Sequence, residues 1–303
     1  MKNNQLMIYG AYGYAGELMV REAVAQGLCP IIGGRDDEKL KPIATELSLE
    51  CRAFGVRNTG SNLQDISVLL NCAGPFSATA EPLARACLAQ QIHYLDITGE
   101  IDIFRKCHAL DEEARQQNVL ILPGAGTDIV PTDCLAAMLK EKLPAATRID
   151  LALSFGTNPS IGTVNTMIES FGKGSLIREG GMLKVVSNAF QMRKIPFQNK
   201  PQWAMTIPWG DVFTSGISTG VPDGAVYMAM PRMSIYMIRL TNPVKGILNT
   251  QFGQKITKRL AGWLMKKGPD AKALEAGRGQ FWGEAEAPDG EKLEMTMSTP
   301  NVY

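Results

Sequence analysis

Three glycines at spacing three lie in the run Gly10-Ala11-Tyr12-Gly13-Tyr14-Ala15-Gly16, directly after an apolar stretch and at the start of an amphipathic one. Those residues at that spacing suit a turn that wraps a pyrophosphate. Gly10 permits the tight turn, Gly13 lets backbone approach the anion, and Gly16 lets a helix pack closely on the preceding strand. The helix N-terminus adds unpaired N–H groups and partial positive charge. Where the next strand ends, an NAD site places a carboxylate for the ribose hydroxyls, but here the chain reads Gly33-Gly34-Arg35. Arg35 is placed for a bidentate contact with a 2′-phosphate, and Lys39, one helical turn on, adds charge. Asp36 and Asp37 suit the cap of the following helix instead. The expected cofactor is NADP, with Tyr12 and Tyr14 inside its loop. The plain alternative is a glycine-rich turn followed by a solvated arginine.

Polar groups for a reaction are expected at the same sheet edge, in residues 71–76, 96–100 and 124–133. Ala73, Gly74, Pro75 and Phe76 form a loop whose backbone is expected near the nicotinamide ribose, with Phe76 over the ring. Asp96, Thr98 and Asp128 are the candidate catalytic groups, each with a structural alternative. Asp96 and Thr98 would order their loop, and Asp128 would cap the next helix, a role less suited to Asp133 if that helix begins near Pro131. His93 begins the strand that Asp96 ends, roughly 10 Å away at about 3.3 Å per residue, and so reads as a satisfied sheet-end histidine. His108 falls on a helix surface, which leaves no histidine for acid–base work. None of the tyrosines has Lys four positions later, as a short-chain dehydrogenase requires, and no G-x-S-x-G hydrolase elbow occurs.

Such residues need a frame. Apolar runs at 5–9, 30–33, 51–54, 68–72, 92–96 and 119–123 alternate with amphipathic stretches at 14–26, 37–47, 79–90 and 101–116. That rhythm predicts an α/β fold, a Rossmann-type doubly wound parallel sheet with ligands at the carboxyl strand ends. Beyond about residue 123 the character changes: all four tryptophans lie after residue 200. Strands are expected at 148–155, 204–208, 225–230, 280–287 and 292–299, and helices at 161–173 and 244–267. The expected division is a Rossmann domain over 1–130 and a C-terminal α+β substrate or dimerisation domain over 131–303.

The whole chain of 303 residues carries 31 basic and 30 acidic residues, so nothing in its total charge drives nucleic-acid binding. Six scattered cysteines and two histidines offer no metal-ligand spacing, so no metal is expected, and free thiols suit a reducing, cytoplasmic compartment. Residues 1–16 do not read as a secretory signal, and no stretch reads as a membrane span. Trp203, Met205, Trp209, Met228, Met230, Met233 and Met237 would either line a pocket for an apolar, acyl-like substrate or fill a core. Membrane contact by 225–238 is the less favoured option, because Pro231 and Arg232 interrupt its apolar run.

The runs Gly10 to Gly16, Gly33 to Leu40 and Asn71 to Phe76 resemble the saccharopine dehydrogenase-like oxidoreductases. So do His93 to Glu100, Pro123 to Asp133, Ser160 to Thr163, Ile207 to Asp211, Gln280 to Glu284 and Thr299 to Tyr303. The likeness covers nearly the whole chain, and the later motifs are most similar to the branch with trans-acting enoyl reductases. It implies an NADPH-dependent reductase acting on an activated C=C, or on C=N or C=O, in a small-molecule substrate, and a homodimer is one expected assembly. Members of that branch continue past the final Thr-Pro-x-x-Tyr, so the C-terminal domain is expected to be cut short. A non-catalytic NADP(H)-binding regulator or a membrane-associated scaffold is the rival reading.

Overall fold

The computed structural model describes residues 5–155, 174–244, 250 and 278–300. The chain forms two compact units, Met1–Asp128 and Ile129–Tyr303.

Among the described residues the first unit is built on six parallel strands, β1 (Leu6–Tyr9), β2 (Ile31–Gly34), β3 (Cys51–Ala53), β4 (Val68–Asn71), β5 (His93–Asp96) and β6 (Ile121–Leu122). Their order, β3-β2-β1-β4-β5-β6, reverses between β1 and β4, which opens a crevice at the carboxyl ends of those two strands. Alternation along each strand feeds a core on both faces. Met7, Leu69 and Tyr94 pack with Leu83 and Ile103 on one side, and Ile8 and Ile32 with Val20, Leu40 and Ile43 on the other. The covering helices are α1 (Tyr14–Ala25), α2 (Asp37–Leu47), α3 (Phe76–Ala89), α4 (Ile101–His108) and α5 (Asp111–Gln116). The single helix expected over 101–116 is thus two. The chain turns at Ala109 and Leu110 to bury Leu110, and three acidic residues then open α5, where the helix dipole favours them.

The second unit carries α6 (Val130–Lys142), β7 (Arg148–Phe155), β8 (Ser175–Glu179), β9 (Met182–Val186), β10 (Met192–Pro196) and β11 (Pro201–Ile207). Next come α7 (Asp211–Thr219), β12 (Asp223–Ala229), α8 (Arg232–Leu240), β13 (Gly279–Glu286) and β14 (Lys292–Thr299). The helix expected over 161–173 lies outside the described residues, as does that over 244–267 apart from a short 3-10 turn at Asn242–Val244. The sheet order β10-β11-β12-β7-β13-β14 is antiparallel except at β12 and β7, with β8 and β9 attached beside β12. The β13–β14 hairpin turns through Asp289 and Gly290, the latter at φ 90°, and Glu286 pairs with Lys292 in register.

This sheet is strongly curled. Four strand steps separate β10 from β13, about 19 Å on a flat sheet at about 4.8 Å per step. Yet Arg193 of β10 forms a bidentate pair with Glu284 of β13 at 3.1 Å and lies 4.7 Å from the Trp282 ring centroid. Asp150 of β7 joins the pair at 3.4 Å and is itself held by Arg148 and the Ala225 amide.

Candidate functional site

The crevice of the first unit is floored by glycine. Gly10 follows β1 at φ 87°, where an L side chain is strained, and a Cβ there would stand 2.7 Å from the backbone N of Ala73. A Cβ on Gly16 would stand 2.1 Å from the Gly10 carbonyl oxygen, so only glycine allows α1 to start so near the turn. The Gly13 amide donates to the Gly10 carbonyl at 2.9 Å, and Gly13 is the N-cap of α1 without any side-chain cap bond. The first-turn amides therefore stand ready for an anion. This is a cradle that fits a dinucleotide pyrophosphate.

Beside it, the Tyr12 ring covers the backbone of Gly34, where a Cβ would come within 2.6 Å of it. Arg35 is exposed at the end of β2 and has no carboxylate partner among the described residues. Lys39 is less free than the sequence suggested, since it pairs with Asp36 at 3.3 Å and sits 5.7 Å from the Tyr12 ring centroid. Tyr14, on the first turn of α1, is 60% exposed.

The far side of the crevice rests on a buried chain of hydrogen bonds. Asn71 and Asp96 are register partners at the ends of β4 and β5, and Tyr94 lies two residues before Asp96 on the same face. Thr79 donates to the Ala73 carbonyl at 2.6 Å and accepts from Asn71 Nδ2 at 3.2 Å. Asn71 Nδ2 also donates to the Tyr94 hydroxyl at 3.1 Å, and its Oδ1 accepts the Ala73 amide at 3.0 Å. Tyr94 donates to Asp96 Oδ2 at 2.8 Å, while Asp96 Oδ1 accepts the amides of Thr98 and Gly124, each at 3.0 Å. Burial pushes the Asp96 carboxyl above its ordinary range against the pull of these three donors, and burial likewise raises the Tyr94 hydroxyl.

This corrects the roles expected of two residues. Asp96 and Thr98 are fully buried, and both Asp96 oxygens and the Thr98 hydroxyl accept protein hydrogen bonds, the latter from the Glu100 amide. They order the loops instead of facing outward. Asp128 is the accessible member of the predicted set; its carboxylate lies against Gly99, and it stands one position before Ile129, the N-cap of α6. Asp133 lies within α6 and accepts from Ser218. The close backbone approach in the 73–76 loop occurs at Ala73, whereas a Cβ on Gly74 would meet nothing within 4 Å. Pro75 is the exposed N-cap of α3, and Phe76 opens that helix packed partly against the core.

Sequence reasoning missed Tyr94 and Thr79, which look like core and helix residues when read alone. The period-two spacing of Tyr94 and Asp96 was the available signal. His93 sits at the opposite edge, with Nδ1 accepting the Leu120 amide at 3.0 Å. The methionine and tryptophan series falls into separate settings: Met205 and Met228 are buried register partners, Met233 and Met237 are exposed on α8, and Trp203, Trp209 and Met230 are half-buried. All six cysteines are free thiols, and no metal-binding cluster occurs among the described residues.

The cradle, the arginine after β2 and the strand order define a dinucleotide-binding domain, and residues 6–122 match the family described as the saccharopine dehydrogenase NADP binding domain. That match runs from β1 to β6 of the first unit, whose cofactor is NADP. The chain is 25% identical over 232 residues to a saccharopine dehydrogenase-like oxidoreductase of Rattus norvegicus, covering 67% of this chain and 53% of that protein. It is 28% identical over 145 residues to a Mycobacterium tuberculosis protein that carries the name of a trans-acting enoyl reductase, covering 42% of this chain and 33% of that one. The chain thus spans about half the length of the first curated relatives it matches. Among solved structures, apo saccharopine dehydrogenase (L-Glu forming) from Saccharomyces cerevisiae superposes with a TM-score of 0.64 at 8% identity, over 98% of this chain and 85% of that one. That likeness is one of fold.

Proposed function

We propose that this chain is an NADPH-dependent oxidoreductase that reduces an electron-poor C=C bond of an enoyl-type small molecule, with C=N and C=O as the related acceptors. The observation that carries the reading is the pairing of the Gly10–Gly16 cradle with an exposed Arg35 that has no carboxylate partner among the described residues. Gly10, Gly13 and the first turn of α1 would hold the pyrophosphate, Arg35 the 2′-phosphate, and the Ala73 to Phe76 loop the nicotinamide half. When bound, the cofactor supplies a hydride from the nicotinamide C4. The chain's own part is positioning. The Thr79–Asn71–Tyr94–Asp96 network fixes three loops at neighbouring strand ends, so that the reacting carbons meet in one geometry. The placement is cytoplasmic in this reading.

Loss of reduced-nicotinamide absorbance with a panel of enoyl-thioesters, 2-enals, imines and ketones tests the proposal. Turnover on the enoyl members ahead of the others is expected. Calorimetric NADPH binding without oxidation across the panel would replace the proposal with a non-catalytic NADP(H)-binding regulator.

A further inference from the structure

Helix α8 presents an apolar stripe to solvent. Met233, Tyr236, Met237 and Leu240 follow the i, i+3, i+4, i+7 pattern of one helix face, and Met233, Met237 and Leu240 are 72%, 60% and 73% exposed. Ile235, on the opposite face, is fully buried, and Arg239 Nε donates to the Ala189 carbonyl at 2.8 Å. The helix is therefore anchored from behind with its apolar face outward. Phe190, whose carbonyl Arg239 also reaches, is another exposed ring. Pro231 and Arg232, which look like an interruption in the sequence, are in fact the start: Pro231 is the N-cap of α8.

The helix also belongs to a stretch of sequence whose charge is one-sided. The sequence of residues 224–269 contains eight basic residues and no acidic one, in a chain whose formal charge is only +1. Arg232 lies at the head of the stripe, stacked 5.0 Å from the Trp203 ring centroid and 5.6 Å from that of Tyr236. Exposed methionine and leucine with flanking aromatics and arginines match the layered chemistry of a lipid–water interface: acyl chains below, headgroups at the rings, anionic phosphates at the cations. A nucleic acid offers phosphates without a surface to cover the apolar stripe.

We propose that α8 is a docking surface for an anionic phospholipid membrane, lying in its interface without crossing it. The test is co-sedimentation of the full chain with phosphatidylcholine vesicles, with and without about one-third phosphatidylserine. The expected result is at least about tenfold enrichment on the anionic vesicles, reduced by high salt. The triple variant Met233→Ser, Met237→Ser, Leu240→Ser should lose that enrichment while its melting temperature and NADP binding stay those of the parent. Met233→Ser alone, at one of the most exposed positions, should give a partial loss and guards against misfolding of the triple variant. Equal binding to neutral and anionic vesicles, or no loss in the variants, overturns the proposal. So does a change in the lipid-free chain's sedimentation coefficient in the variants, which would make this face a contact between copies.

Discussion

Tyr94 and Asp96 stand two residues apart on one face of β5, and the Tyr94 hydroxyl donates to Asp96 Oδ2 at 2.8 Å. Through that bond the ends of β4, β5 and β6 become one hydrogen-bonded unit, because Tyr94 accepts from Asn71 and Asp96 holds the Gly124 amide. A buried network of this kind is worth most when every member is satisfied.

Asp96→Asn tests it through pH. The folded-state pKa of Asp96 is raised above 3.8, so the stability it lends is full below the unfolded value and is lost as pH rises through the folded one. Asparagine does not titrate, and its amide would place a second donor on the Tyr94 hydroxyl. The melting-temperature deficit of Asp96→Asn should be widest near about pH 4 and narrow toward neutrality. A deficit that grows with pH would mean that Asp96 is held ionised by its donors.

Arg35→Ala should weaken NADP binding roughly ten- to a hundredfold, the size of one lost charge-assisted contact, and leave NAD binding almost unchanged. Calorimetry with both cofactors decides the matter. An equal loss for the two would place Arg35 away from the 2′-phosphate.

Gly16→Ala should cost more than about 2 kcal/mol, since its Cβ would lie 2.1 Å from the Gly10 carbonyl oxygen and the backbone must move. Gly74→Ala meets open space and should change stability by less than about 0.5 kcal/mol. Thermal unfolding of the pair checks both values, and a drop in NADP affinity for Gly74→Ala alone would mark that backbone as a cofactor contact.

In the second unit, Arg193→Ala would strip Glu284 of its bidentate partner and uncover Trp282. We expect a loss of about 3 kcal/mol in chemical denaturation, the lower end for breaking a buried pair. A third of the Arg193 side chain meets solvent, which weakens the pair. A double-mutant cycle with Glu284→Gln should return a coupling of about 1–2 kcal/mol, and additive losses would show that packing on Trp282 carries the effect.

Local chemistry explains what was legible in the sequence. Asp37–Leu47, Arg148–Phe155 and Lys292–Thr299 match their expected bounds because caps, alternation and a flanking turn all point the same way. The glycine cradle was legible for the same reason. The break between α4 and α5 was not, since neither Gly nor Pro marks it and burial of Leu110 decides it. Helix α8 was hidden because a proline that starts a helix and one that stops a strand look alike in one dimension. The β8–β9 hairpin went unread despite its Gly180-Gly181 turn. At the site, residue types located the strand ends, but whether Asp96 faces outward or holds loops depends on register with Asn71, which no local pattern encodes.

The curl that brings Arg193 to Glu284 also sets an order of events during synthesis. The two residues are 91 positions apart, and β13 is an interior strand between β7 and β14. A ribosome must therefore release the chain through β13 before this sheet can close, whereas the first unit has all six described strands in hand once β6 has emerged. Nascent chains stalled well beyond Asp128 should carry a protease-resistant first unit joined to a second that is still digestible, and resistance of the second should appear only once β13 has cleared the exit tunnel.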